Sequence, residues 1–223
     1  MRQTVGLMGL RGSGKDTAAR YLIDKDFIRI GFADALYKEV AQAFGVTVEF
    51  LGNRDTKETD LPELSLSRCR DAGFVKEVLK LAGYSYKRRK EMNAPRSPRF
   101  ILQLWGTEYR RRGENGRDSY WLDIVRNAIE AAPDRSFVVT DVRFNNEADF
   151  IESMGGTLVR IRRLELELRE AADRQKNGRA AHPSETELLT RVVGQELFNV
   201  EGKPEALREG ILRAVGLIQP QAA

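Results

Sequence analysis

At 223 residues the chain can bury one well-filled core with embellishments and is short for two independent domains, so a single domain is expected. Its 41% hydrophobic and 31% charged residues suit a globular protein, and no run reaches the roughly 18 to 20 apolar residues that cross a bilayer. One cysteine, Cys69, and one histidine, His182, exclude an intrachain disulfide and a structural zinc site, while a net charge of +4 suits an anionic ligand.

Thr4 to Leu10 reads as a buried strand that ends in glycine, too short to be a signal peptide, and a cytoplasmic location is expected. Gly14 to Asp24 reads as a helix with Ala18, Ala19, Leu22 and Ile23 on one face. Phe27 to Ala33 reads as a second strand, with Asp34 as N-cap of a helix that runs to about Phe44. From residue 45 to 98 the pattern degrades, apart from a helical stretch near 71 to 82, and the segment reads as an insertion over the core. Helices are expected over Arg99 to Arg112 and Ser119 to Ala132, joined by Gly113 to Gly116.

Ser136 to Val142 is apolar throughout, as a central parallel strand covered on both faces should be. A helix from Asn145 to Met154, a strand from Thr157 to Ile161, a charged stretch from 162 to 183, a last strand from Glu196 to Val200 and a helix from Pro204 complete the chain. Alternation of strands and helices predicts an α/β fold with a mostly parallel sheet of about five strands and helices on both faces.

Gly9-Leu-Arg-Gly-Ser-Gly-Lys-Asp-Thr17 stands between the first strand and helix, and Gly9, Gly14 and Lys15 meet the pattern of a phosphate-binding loop. Such a loop, here with Arg11, Gly12 and Ser13, turns backbone N–H groups inward, and a helix N-terminus adds partial positive charge. Lys15 would bridge the two outer phosphates of a nucleotide. Asp16 stands where a magnesium-binding hydroxyl is usual, with Thr17 one place later, so either is a candidate ligand. Asp141 closes the apolar strand, where a magnesium-organising acid is expected, and Arg143 points the same way if the chain stays extended. A plainer role for Asp141 is the N-cap of the helix near Asn145.

Several of these motifs, in this order, resemble the bacteriophage deoxynucleoside monophosphate kinases, a branch of the P-loop nucleotide kinases. The resemblance rests on residues 9 to 17, Phe32-Ala-Asp34, Lys38, Arg99, Leu102-Gln103, Gly106-Thr107-Glu108, Tyr120-Trp121, Thr140-Asp-Val-Arg143, Asn146-Glu147 and His182-Pro-Ser-Glu185. It implies a three-layer kinase sandwich with a substrate-side insertion and a lid at 162 to 183. It further implies ATP and Mg2+ as donor and metal, a deoxynucleoside monophosphate as acceptor, and a homodimer. Asp34, Lys38, Arg99, Gln103, Gly106, Thr107, Trp121 and Arg143 would surround the acceptor, and Asn199 would border the adenine. For Trp121 a stacking face and a buried helix aromatic are both open, whereas Trp105 reads as core. Arg162, Arg163, Arg169, Arg174 and Arg179 are candidate lid cations, and His182 a candidate hinge.

Two other functions compete. The basic segment from 84 to 112, with runs at 87 to 90 and 110 to 112, raises a kinase that phosphorylates a hydroxyl on a modified base in DNA, with Asp34 or Asp141 as base. Nucleic acid is the less favoured partner. A non-catalytic nucleotide switch or ATPase module is disfavoured by the arginine-rich stretch, which suits a second anion.

Overall fold

The computed structural model describes residues 2–81, 83, 89–177 and 186–219. Its contacts divide the chain into two compact units, one of residues 1–31 and 125–223, the other of residues 32–124. Among the described residues no helix is long and apolar enough to cross a membrane.

The first unit holds β1 (Thr4–Met8), α1 (Lys15–Ile23), β2 (Phe27–Ile30), β3 (Ser136–Val139), α8 (Asn145–Ser153), β4 (Thr157–Arg162), α9 (Leu164–Asn177), β5 (Gln195–Phe198) and α10 (Pro204–Ala214). Five strands pair in the order β2-β3-β1-β4-β5, and every pair is parallel. Strand alternation sorts their side chains onto two faces. Val5, Leu7, Val138, Val159 and Ile161 pack with Ala18, Ala19 and Leu22 of α1 and Leu207, Ile211 and Leu212 of α10. On the other face Leu158, Val142 and Ile151 of α8 crowd against Gly6. Helix, sheet, helix is the three-layer arrangement expected from the sequence. The strands end earlier than their composition suggests, β1 at Met8 and β3 at Val139. On α1, Ile23 lies outside the apolar face, 42% exposed.

The second unit is helical: α2 (Phe32–Phe44), α3 (Val48–Gly52), α4 (Ala72–Leu81), α5 (Arg89–Asn93) and α6 (Pro98–Gln103), then one π-helical stretch, Leu104–Tyr109. α7 (Tyr120–Glu130) divides its residues between the two units. β2 stops at Ile30, and Phe32 and Ala33 already belong to α2. Asp34 therefore sits in the first turn of that helix, where its charge meets the positive end of the dipole, and does not cap it. The segment 45–98 shares this unit's own core: Leu51, Leu64, Leu66, Phe74 and Leu79 are buried with Phe44, Ile101 and Trp105. Thr47 and Ser97 cap α3 and α6 by accepting from the N–H groups of Phe50 and Phe100, which gives short helices defined starts.

The hub of this unit is Glu39. Its carboxylate accepts from Trp105 Nε1 at 2.8 Å, Arg110 Nε at 2.7 Å and Tyr120 Oη at 2.5 Å. The Arg110 guanidinium lies over the rings of Trp105, Tyr109 and Tyr120 at 5.4, 4.7 and 5.1 Å. Removing the carboxylate strands three donors, one of them charged. We expect Glu39→Ala to cost about 2 to 3 kcal/mol, since Glu39 and Arg110 are only partly exposed. Urea unfolding followed by tryptophan fluorescence measures it, and a loss below about 0.5 kcal/mol would refute the hub, given the worth of a single hydrogen bond.

Candidate active site

The loop after β1 is shaped by two close approaches. A Cβ on residue 9 would lie 2.2 Å from the carbonyl oxygen of Ile161 on β4, and one on residue 14 would lie 2.3 Å from Asn199 Nδ2. Both positions also have positive φ, 140° and 106°, so only glycine serves at either. Between them Ser13 is fully buried, and its N–H donates to Leu10 O at 3.1 Å. The loop then enters α1 at Lys15, and the first turn of α1 carries Asp16 and Thr17, both exposed. Arg11 and Gly12 are exposed on the same loop.

Lys15 turns back on this loop. Its Nζ donates to Gly9 O and Leu10 O, both at 2.8 Å. Burial, and then repulsion by Arg143, bring its pKa from 10.5 down to about 8, against the pull of Asp16, Asp141 and Glu170. These interactions place Lys15, Asp16, Asp141 and Arg143 in one electrostatic neighbourhood.

Asp141 reaches that neighbourhood from beyond β3. The chain stays extended: Thr140 N–H donates to Ile30 O at 3.2 Å and Val142 N–H to Leu7 O at 3.3 Å. Thr140 and Val142 are buried, whereas Asp141 is half-buried and Arg143 exposed, so the latter two share a side. The helix that follows takes its cap from Glu147, a buried carboxylate that accepts from Arg143 N–H at 2.7 Å and Phe144 N–H at 3.1 Å. Asp141 is therefore not the cap of α8.

The other site residues expected from the sequence lie in the helical unit. Asp34 and the exposed Lys38 stand one turn apart on α2. On α6 Arg99 and the half-buried Gln103 have the same spacing, and Arg99 Nε meets Glu58 Oε1 at 2.5 Å. Gly106 and Thr107 are buried in the π-helical stretch, where Arg110 N–H reaches back to Trp105 O and Arg112 N–H to Thr107 O. Such stretches are rare and frequent at functional sites. Trp121 is 3% exposed and donates its indole N–H to Gly106 O at 3.0 Å. Its ring offers no stacking face; it buttresses the π-helical stretch, and the buried-aromatic alternative is the correct one.

Two charged segments also differ from expectation. The basic segment does not form an open cationic face among its described residues. Arg96 binds the carbonyls of Ala94 and Glu91, Arg99 pairs with Glu58, Arg110 with Glu39, and Arg112 with Glu108, while Arg111 is buried. The run at 87 to 90 lies mostly outside the described residues. Of the lid candidates, Arg162 is held by both oxygens of Glu167 and by Glu196, and Arg163 by Glu165 and Glu201. Arg169 is exposed on α9, and the side chain of Arg174, with Arg179 and residues 182–185, lies outside the described residues. Asn199 is found on the phosphate loop, with Nδ2 donating to Ser13 O at 2.8 Å.

Glu170 and Glu39 are polar residues that sequence reasoning did not single out, while Glu147 entered only through the resemblance and Arg110 only as part of a basic run. Only Glu147 left a local trace, three residues after an N-cap and so placed to reach back to it.

A glycine loop after the central strand of a parallel 2-3-1-4-5 sheet, flanked by an acid and an arginine beyond the neighbouring strand, defines a P-loop kinase. The deoxynucleoside-5'-monophosphate kinase of Escherichia phage T5 is 32% identical over 235 aligned positions, which cover 89% of this chain and 90% of that protein. A protein of Acanthamoeba polyphaga mimivirus, assigned provisionally as a deoxynucleotide monophosphate kinase, is 34% identical over 195 positions, 82% of this chain and 81% of that one. The chain belongs to the deoxynucleoside monophosphate kinase family and is an enzyme, a kinase. No family model matches it. Among solved structures, TT1252 of Thermus thermophilus aligns at 14% identity and a TM-score of 0.47, over 96% of both chains. A Sinorhizobium meliloti gluconokinase aligns at 15% identity and a TM-score of 0.41, over 97% of this chain and 95% of that one.

The lowered pKa of Lys15 has a measurable consequence. Between pH 8 and 10.5 the unfolded chain holds a proton on this side chain that the folded one has released, so its contribution to stability rises with pH through that window. A phosphate anion at the loop favours the charged amine and draws the proton back. Binding of a polyphosphate within that window is therefore expected to take up protons in the wild type and fewer in Lys15→Met. Calorimetry in buffers of different ionisation enthalpy measures this, and equal uptake by both proteins would refute it.

Proposed function

We propose that the chain works as one P-loop kinase module that transfers the γ-phosphoryl group of ATP to a deoxynucleoside 5'-monophosphate, giving ADP and the diphosphate. The observation that carries this is the gathering of Lys15, Asp16, Asp141 and Arg143 at a glycine loop whose backbone is committed to one shape. The names of the two viral relatives point to the acceptor.

In this account the loop from Gly9 to Thr17 holds the triphosphate with inward N–H groups, and the N-terminus of α1 adds partial positive charge. Lys15 leaves the carbonyls of Gly9 and Leu10 for the outer phosphates and follows the negative charge that spreads over the transferring group. Arg143 grips the acceptor phosphate, because a guanidinium fork suits two phosphate oxygens at once. An oxygen of the acceptor phosphate bonds to the γ-phosphorus as the bond to the β–γ bridging oxygen breaks, and ADP keeps that electron pair. The acceptor oxygen is already ionised at neutral pH, so no general base is needed.

Asp16 and Asp141 are hard oxygen donors and fit magnesium, which usually takes one or two carboxylates and fills its shell with phosphates and water. Among the described residues no group of three or more acidic, histidine or cysteine side chains gathers into a preformed cage, and none is needed for such a site. When bound, magnesium would neutralise charge on the outer phosphates. Asp34, Lys38, Arg99, Gln103 and Thr107 are the candidate acceptor-recognition residues in this proposal. Among the described residues of the basic segment, Arg99, Arg110 and Arg112 pair with glutamates and Arg96 binds backbone carbonyls, which favours the free nucleotide over the DNA-borne acceptor.

The test is a panel of deoxy- and ribonucleoside monophosphates, with DNA alongside, incubated with ATP and magnesium and read for new phosphorylated product. Diphosphates from free deoxynucleotides are expected; product on DNA alone, or ATP hydrolysis without an acceptor product, would overturn the proposal. Lys15→Ala is expected to lower kcat roughly a hundredfold or more without changing the circular dichroism spectrum, as loss of a transition-state contact does. Arg143→Ala is expected to raise KM for the monophosphate about tenfold or more, the scale of a charged hydrogen bond, and to move KM for ATP less. Equal shifts would put Arg143 on the donor side.

A further inference from the structure

Asn199, the first residue after β5, is tied to two parts of the chain at once. Its backbone N–H donates to Arg162 O at the end of β4 at 2.8 Å, and its side-chain Nδ2 donates to Ser13 O, also at 2.8 Å, across 186 positions of sequence. The side chain is thus delivered from a backbone fixed in the sheet. The contact is close enough that a Cβ on residue 14 would fall 2.3 Å from Nδ2 and 3.2 Å from Cγ, so Gly14 and Asn199 presuppose one another.

We propose that Asn199 is a positioning residue for the phosphate loop: by holding the Ser13 carbonyl on the outside, it turns the Gly14 N–H into the anion cradle. A trans peptide is planar, with its C=O and N–H pointing in opposite directions, so fixing one fixes the other. The peptide before a glycine is otherwise free to turn over, because no Cβ opposes it. Ser13 does not hold the peptide with its own side chain, since its Oγ is buried with no hydrogen-bond partner. A residue from the far end of the fold therefore sets the direction of one donor in the loop. This rests on the proposed reading that the loop binds a polyphosphate, and it replaces a contact with adenine by one with the loop itself.

The two roles separate with a ligand that has no base. Magnesium tripolyphosphate and ATP are titrated into the wild type, Asn199→Ala and Asn199→Asp, with thermal midpoints recorded for each. Asn199→Ala is expected to weaken both ligands by the same factor, roughly three- to tenfold, the worth of one hydrogen bond. Asn199→Asp keeps the packing volume against Gly14 and sets a carboxylate against the Ser13 carbonyl, so it is expected to weaken both further, and it serves even where the alanine variant loses stability. In turnover, KM for ATP rises while KM for the monophosphate stays put, a split that general loosening of the fold would not give. Unchanged tripolyphosphate affinity with weakened ATP would overturn the proposal and return Asn199 to the adenine. Failure of the wild type to bind tripolyphosphate would instead overturn the reading of the loop.

Discussion

The carbonyl oxygen of Ile161 passes so near the start of the phosphate loop that residue 9 has no room for a side chain. That single approach ties the loop to the sheet. β4 pairs with β1 in parallel register, Leu7 with Val159 and Met8 with Arg160, so the end of β4 arrives beside the end of β1 where the loop begins. On β1's other side β3 runs in parallel too, and the chain beyond it brings Asp141 and Arg143 toward Lys15. The site is thus a consequence of strand order: with β1 between β3 and β4, the carboxyl ends of its two neighbours flank the loop. β5 adds the last contact through Asn199.

Lys15 shows what this geometry does to charge. Its amine is withdrawn from water and lies near a second cation, so it keeps its proton less firmly than a surface lysine. Three carboxylates, Asp16, Asp141 and Glu170, act in the opposite direction. An incoming phosphate supplies the charge that this arrangement lacks. The helical unit solves a different problem with similar means. Glu39 gathers an indole, a phenol and a guanidinium around one carboxylate, and the tryptophan, tyrosine and phenylalanine rings pack beside it at centroid distances of 4.6 to 5.6 Å.

Local signals carried most of the first unit. Alternation, a glycine loop and an apolar strand are short-range patterns, and β1, α1, β3 and the Asp141–Arg143 pair were all legible from them. Element ends were less so: β2 gives way to α2 at Phe32, because Phe32 is buried as a helix residue and composition alone does not reveal that. Charge was the least legible property. A run of arginines looks like a cationic face when read along the chain, yet the carboxylates that answer it lie 41 and 71 positions away for Arg99 and Arg110. Trp121 illustrates the same limit for aromatics, since only the fold tells a stacking face from a buried ring. Residues 45 to 98 looked irregular because their helices are short, yet the buried leucines and Phe74 give them a core as dry as any in the chain.

The central claim is that the backbone N–H groups of the loop and the first turn of α1 face a bound polyphosphate, with Lys15 as their partner. Amide chemical shifts of an isotopically labelled sample, followed while magnesium and ATP are added, test it most directly. The account predicts large downfield shifts confined to the amides of residues 11 to 17, saturating together, and reduced in Lys15→Ala. Saturation with those amides unmoved, and the changes gathered elsewhere on the chain, would contradict it.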